Sequence, residues 1–305
     1  TTFFAIALAA DYFGLPDVSC VVTDSDINRI WVAEKPLKSG VAYFAPSERA
    51  CKRLMLYGVP QERVFFTGFP LPAENVEPVR DDLATRIGVL DPRGTFHSKY
   101  RPLVAGELGP IPKPDRPLTI IFAVGGAGAQ AEVARGILIS LKPALESGKI
   151  RIHLVAGTRL EVNCLFLETI REVGLGEQLG RSVHVLCSLS KADYFSKFNQ
   201  LIREADVLWT KPSELSFYCA LGLPVVMTNP IGSHEECNSD WLIKIGAGLP
   251  QEDPSAVADW IFDWQERGLL AHAAFNGFHH APRHGTENIK NLLFAKDRAL
   301  VKLRM

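Results

Sequence analysis

PLTIIFAVGG (117–126) constrains the fold more than any other stretch. It is continuously apolar over the length of one strand, so both of its faces are buried, and it runs directly into glycines and a helical pattern. KIRIHLVAG (149–157), SVHVLCS (182–188), DVLWTK (206–211) and PVVMTN (224–229) repeat the pattern, each but the last followed by a helix-length segment with an apolar face. Alternating doubly buried strands and amphipathic helices require a parallel sheet with helices on both sides, the α/β doubly wound class. The first helix shows that face at Val133, Ile137, Leu138, Leu141 and Leu145.

The same alternation occupies the beginning of the chain. Residues 3–13 read as a helix stopped by Gly14, and VSCVVTD (18–24), VAYFAPS (41–47) and ERVFFTGFP (62–70) read as strands. A helix after Ser47, its N-cap, ends at Gly58 and Pro60. Between 71 and 117 prolines are frequent and the apolar period fades outside a short helix near 79–88. Two Rossmann-like modules are therefore expected, 1–78 and 118–284, with 79–117 as linker or insert and 285–305 as a final helix. PVVMTN reads as the last clear strand, with helices over 254–267 and 285–298.

A length of 305 residues suits two domains. The net charge of −1 gives no bulk electrostatic reason to bind nucleic acid or an anionic membrane. Six cysteines without a CxxC pair sit mostly in apolar runs, as buried reduced thiols of a cytoplasmic protein do. No stretch reaches the length of a membrane span. The opening TTFFAIALAADYFGL carries Asp11 and lacks a basic n-region, so it does not read as a signal peptide. The chain opens inside a helical pattern without Met, and an upstream segment of the natural protein is expected.

Ligands of parallel α/β sheets bind beyond the carboxyl ends of the strands. Three motifs lie there. Gly125-Gly126-Ala127-Gly128 precedes a helix, whose free N–H groups and lack of nearby Cβ atoms suit a phosphate; a tight turn alone would also use these glycines. Thr210-Lys211-Pro212 leads into Ser213, a candidate cap through its hydroxyl, and Glu214, which suits hydroxyls or Lys211. Gly232-Ser233-His234-Glu235-Glu236-Cys237-Asn238 starts a further helix, with Glu235 and Asn238 three apart on one face. A carboxylate and an amide together suit a polyhydroxyl ligand, although a solvated helix start has the same composition. Phosphate cradle and hydroxyl-binding groups at one rim fit a nucleotide-sugar.

VVTD (21–24), APS with YGVP (45–60), VFFTGFP (64–70), VGGAGAQ (124–130), ADVLWTKPSE, GLPVV (222–226), GSHEECN (232–238) and GAG (246–248) occur in the order seen in GT-B glycosyltransferases. The chain most resembles family 28, which includes the lipid-intermediate N-acetylglucosaminyltransferase of peptidoglycan synthesis and the monogalactosyldiacylglycerol synthases. The resemblance implies a GT-B architecture of two Rossmann-like modules, the N-terminal one incomplete, and inverting, metal-independent transfer from a UDP-sugar, with no cofactor besides that co-substrate. It implies a donor site from Gly125, Gly126, Ala127, Gly128, Lys211, Ser213, Glu214, Gly232, His234, Glu235, Glu236 and Asn238. The acceptor is unidentified; in the family it is often a lipid, which implies a cytoplasmic protein with peripheral contact at the inner face of the membrane.

Two departures stand out. The chain begins after the point where the family carries its glycine-rich acceptor loop and, often, a catalytic His. The general base is therefore expected in an upstream segment, with Asp24 the candidate catalytic residue here, to orient the acceptor or stand in for a base. Phe217 occupies the position of the family's ribose-binding Glu. A non-catalytic nucleotide-sugar sensor, a partner subunit of a split transferase and a UDP-sugar 2-epimerase-like enzyme are the alternatives. The DxD of Thr23-Asp24-Ser25-Asp26 and the His279, His280, His284 group are not read as metal sites, because the first sits in a GT-B-like context and the second lacks a carboxylate at ligand spacing.

Overall fold

In a computed structural model, described over residues 1–113, 115–124 and 130–294, the chain forms two parallel sheets. The smaller has β1 (Ser19–Val21), β2 (Ala42–Ala45) and β3 (Val64–Phe66) in that order. The larger contains β4 (Leu118–Ala123), β5 (Ile150–Gly157), β6 (Val183–Cys187), β7 (Val207–Thr210), β8 (Val225–Met227) and β9 (Gly248–Pro250). Its order β6-β5-β4-β7-β8-β9 reverses direction between β4 and β7. That reversal opens a crevice at the carboxyl ends of the strands.

The continuous apolar runs become the central strands as expected. Every residue of β4 and β7 is buried. Register follows burial: Ile120, Ile121, Phe122 and Ala123 pair with Val207, Leu208, Trp209 and Thr210. The helix Glu48–Leu56 starts at Ser47, whose Oγ accepts from the N–H of Ala50 at 3.0 Å. It stops near Gly58, at φ +92°, a left-handed conformation that glycine adopts without Cβ strain.

Several elements differ from expectation. Residues 79–117, read as linker or insert, carry the helix expected near 79–88 and two more. These are Val79–Leu90, Thr95–Lys99 and Arg101–Leu108, and Leu83, Ile87 and Val104 join the core of the larger sheet. Arg86 of that segment is fully buried and donates to the carbonyls of Ala205, Leu221, Gly222 and Ile202. These carbonyls lie at the ends of two helices, where a cation meets both orphan acceptors and negative partial charge. β9 adds a sixth strand beyond the expected last one, and a helix over Leu269–His280 also lay outside the reading. The stretch after Ser213 is a 3₁₀ helix, Glu214–Leu221, not an α-helix.

The helix Gly285–Phe294 returns to the segment after β3. Thr286 Oγ1 donates to Leu71 O and Asn288 Nδ2 to Thr67 O, at 2.5 and 2.8 Å. A Cβ on Gly285 would lie 2.2 Å from Phe69 O, so the close approach requires glycine. No helix among the described residues is long and apolar enough to cross a membrane.

Candidate functional site

Described residues at or after the ends of β4, β5, β7 and β8, among them Val124, Gln130, Gly157, Glu214 and Asn229, gather at the crevice. Gly125, Gly126, Ala127 and Gly128 lie outside the described residues. Just beyond them, Gln130 adopts φ +68° and donates its Nε2 to Asn229 O at 3.0 Å, joining the loops after β4 and β8.

Lys211, at the end of β7, reaches across to Glu235, with Nζ 2.5 Å from Oε1. The second oxygen of Glu235 accepts from the N–H of Ile231 at 2.8 Å. A carboxylate in the first turn satisfies an orphan donor and complements the helix dipole. Burial pushes Glu235 up, but Lys211 and the Ile231 N–H outweigh it and hold the carboxyl below its ordinary value. Glu235 thus stays ionised as a buried, oriented acceptor. Each oxygen keeps a lone pair for a further donor. Lys211 meets Glu235, not Glu214.

Asn238, one helical turn on, is fully buried and spans to the smaller sheet. Its Oδ1 accepts from the N–H of Ser25 at 2.8 Å, and its Nδ2 donates to Asp24 Oδ1 at 3.2 Å. Ser25 Oγ donates to Cys237 O at 3.1 Å. Burial raises the pKa of Asp24, opposed by the Asn238 hydrogen bond and by His234; Glu214 and Glu235 add to the rise. His234 is exposed, with Nε2 3.7 Å from Glu235 Oε1. Glu236 points to solvent, and Gly232 serves as the N-cap of the helix Ser233–Lys244.

Ser213 does not cap through its side chain. Its Oγ is buried without a hydrogen-bond partner among the described residues, as are Ser216 Oγ and Thr228 Oγ1. Buried hydroxyls are ordinarily paired, and each unpaired one costs about 1–3 kcal/mol. Glu214 is exposed on the wall of a cavity of about 560 Å³ at the ends of β4 and β5. Arg159, Lys191, Tyr194 and Phe195 line the same cavity and were not singled out from sequence. Aromatic faces beside cations and a carboxylate suit a base, a diphosphate and a ribose together. Their signal was faint: Arg159 follows the strand IRIHLVAG, while Tyr194 and Phe195 fall at helical spacing that fits core packing equally well.

Phe217 has a different role from the one its position implied. It is 1% exposed, stacks on Phe69 with centroids 4.5 Å apart and planes at 2°, and leans on Trp241 at 4.9 Å. A carboxylate there would be buried among rings without a partner. Among the described residues no group of three or more His, Cys, Asp or Glu is placed to hold a metal. Asp26 of the DxD faces away from Asp24 chemically: it binds Arg49 and Arg53.

A family profile described as a domain of unknown function, DUF6938, matches residues 112–261. The chain is 24% identical over 241 residues to a processive diacylglycerol beta-glucosyltransferase of Bacillus mycoides, covering 78% of this chain and 50% of the relative. It thus spans about half the length of the curated relatives it matches. Among solved structures, the S. aureus MnaA–UDP co-structure aligns with a TM-score of 0.57 at 13% identity, over 95% of this chain and 70% of the other. Acinetobacter baumannii MurG aligns at 0.50 and 17%, over 94% and 68%. Two parallel Rossmann-like sheets facing one cleft and these likenesses agree: the chain has the GT-B fold and resembles the family 28 glycosyltransferases.

Proposed function

We propose that this chain is the donor-binding part of a glycosyltransferase that moves a sugar from a UDP-linked donor to an acceptor, without metal and with inversion. The observation that carries this reading is a pair of contacts on one helix, Lys211–Glu235 at the crevice and Asn238–Asp24 across the cleft to the smaller sheet. The base packs against Tyr194 and Phe195, Arg159 and Lys191 face the diphosphate, and Glu214 takes ribose hydroxyls in place of a carboxylate at Phe217. The glycines 125, 126 and 128 cradle the diphosphate. Helix-terminus electrostatics supplies only about 0.3–2 kcal/mol. A micromolar ligand needs about 8 kcal/mol. The aromatic cavity is therefore where most of the affinity must arise.

In this reading Glu235 holds donor hydroxyls, and Asn238, bonded to Ser25 and Asp24, aligns the acceptor side. Asp24 accepts the proton of the attacking acceptor hydroxyl as the anomeric bond to UDP breaks. Its raised pKa brings it nearer to neutral pH, where a general base works best. The acceptor is a lipid or a glycan, and a lipid acceptor places the protein at the inner face of the membrane. Calorimetric titration with UDP, GDP, TDP and UDP-sugars tests the donor assignment. Saturable UDP binding, tightened by one sugar, supports it, and no nucleotide binding removes it. Glu235→Gln is expected to weaken a UDP-sugar far more than UDP.

A second reading has an observation of its own. Asp24, Glu214, His234 and Glu235 are close enough to perturb one charge. Several acid and base residues in one cleft are what a UDP-sugar 2-epimerase-like enzyme would need. Turnover of a UDP-sugar without acceptor, with solvent deuterium entering the sugar, would favour it over transfer.

A further inference from the structure

We propose that the groove between the helices Glu48–Leu56 and Ser233–Lys244 is a second binding site, for a phosphate group carried on an apolar chain. It encloses about 500 Å³ and shares no lining residue with the cavity at β4 and β5. The inference does not depend on the transferase reading.

The construction starts from Asp26. Its carboxylate is 2% exposed and accepts from Arg49 Nε at 2.7 Å, Arg53 Nε at 3.0 Å, Arg53 Nη2 at 2.9 Å and the N–H of Ile27 at 2.9 Å. Burial works against its charge, but Arg53, Ile27 and Arg49 prevail and keep it ionised. Both guanidinium groups are thereby fixed. Neither Nη of Arg49, nor Nη1 of Arg53, makes a hydrogen bond among the described residues. These are outward-facing donors whose side-chain entropy is already spent, in the fork geometry that matches phosphate oxygens.

Lys52 on the same helix and Lys244 from the opposite one also line the groove. Lys244 makes no ion pair among the described residues, and Lys52 only a loose one, 3.5 Å to the equally exposed Glu48. Four cations face two carboxylates, one of them the buried Asp26. Most of the remaining wall is apolar: Phe66 from β3, Trp241 and Ile245 from the larger module, Pro282, and Leu56, 73% exposed, with Ser47 and His280 as its polar members. Excess positive charge above apolar side chains selects an anion with a hydrocarbon part over a bare nucleotide or sugar. Because its walls come from both modules, the ligand would also hold them together.

Two sources share this chemistry, a soluble alkyl or glyceryl phosphate and the headgroup of an anionic lipid. Full-length chain titrated with monomeric octyl phosphate at low salt is expected to bind saturably, with affinity falling as salt rises. Lys244→Glu, at an exposed position, should leave the unfolding midpoint unchanged and weaken octyl phosphate about tenfold. Arg49→Gln keeps the Asp26 pairing with Arg53 and should weaken it similarly. Flotation with phosphatidylglycerol vesicles but not phosphatidylcholine vesicles, lost in Lys244→Glu, assigns a headgroup. Octyl phosphate binding without flotation assigns a soluble ligand. If neither probe binds, or if both bind Lys244→Glu as tightly as the unaltered chain, the site does not exist.

Discussion

The two sheets are built on one plan and held together differently. The larger closes around strands of three to eight residues and draws in helices from the 79–117 segment and from Leu269–His280. The smaller has strands of three and four residues, and its helix Phe4–Tyr12 turns Ala7 inward while Ile6, Tyr12 and Phe13 stay exposed. A core grows with the surface it can bury, and a small one depends more on individual polar anchors. Each sheet has such an anchor: Arg86 in the larger, buried among carbonyls, and Asp26 in the smaller, buried among donors. One is a cation serving helix ends; the other is an anion serving arginines.

The comparison breaks most visibly at Arg86. Burial pushes its pKa down to about 10, still well above neutral, so it remains charged. Arg86→Ala strands carbonyls of four residues and leaves a cavity; the expected loss is about 3–5 kcal/mol, read by denaturant unfolding. Arg86→Met restores volume but not donors, and should recover only a minor part. A loss below about 1 kcal/mol in Arg86→Ala would mean that the carbonyls find other partners and that apolar packing alone carries the larger module.

Asp26→Asn is the matching change in the smaller sheet. Hydrogen bonds to a charged group are worth about 1.5–3 kcal/mol, and the half-exposed arginines can turn to water, so about 2 kcal/mol is expected. The pH dependence gives the sign. Asp26 has a lowered folded pKa, so its contribution is complete above the unfolded value of about 3.9 and is lost as pH falls through the folded value. The gap between Asp26→Asn and the unaltered chain should therefore be full at pH 7 and shrink in acid. A gap independent of pH would assign the effect to packing rather than charge.

Where sequence sufficed and where it failed follows the same physics. β4 and β7 were legible because a strand buried on both faces writes an unbroken apolar run. β9 was not, because Gly248-Leu249-Pro250 is short and carries the residue that ordinarily argues against a strand. The helix Leu269–His280 is apolar around most of its circumference and holds Gly277, which reads as a breaker. In the fold that glycine admits Cys219 O, which would lie 2.4 Å from a Cβ. The candidate rim was legible as a set of polar residues after strands. Its wiring was not: Asn238 and Asp24 are 214 positions apart, and no local pattern encodes that contact. Phe217 stands out in the sequence as a departure from a family pattern, but its stacking on Phe69, 148 positions away, is written in no local pattern.

Asn238 joins the two modules and yields a smaller effect. Asn238→Ala removes two cross-module hydrogen bonds and is expected to cost about 1–2 kcal/mol. It also removes one of the influences that hold the Asp24 pKa down, so the Asp24 carboxyl should titrate higher still. Carboxyl-carbon NMR titration reads this directly. An unmoved Asp24 would mean that the contact only aligns the modules and leaves the candidate base untouched.

The smallest expected effect lies on the outer face of the helix Phe4–Tyr12 and its C-cap. Tyr12 and Phe13 are 85% and 79% exposed and stack edge-on at 5.4 Å, yet neither enters the core of the smaller sheet. Burial, not hydrophobicity as such, gives an apolar side chain its stabilising effect. Phe13→Ser should therefore change the unfolding free energy by less than about 0.5 kcal/mol, the range of surface substitutions away from special features. Contrast Leu54, on the helix Glu48–Leu56, which is fully buried: Leu54→Ala should cost about 2–5 kcal/mol in the same experiment. The pair separates the two faces of one small layer. A loss at Phe13 approaching that at Leu54, independent of protein concentration, would show that the outer face is packed in solution and that the smaller core is larger than its inward residues. A loss that grows with concentration would show instead that copies of the chain cover that face for one another.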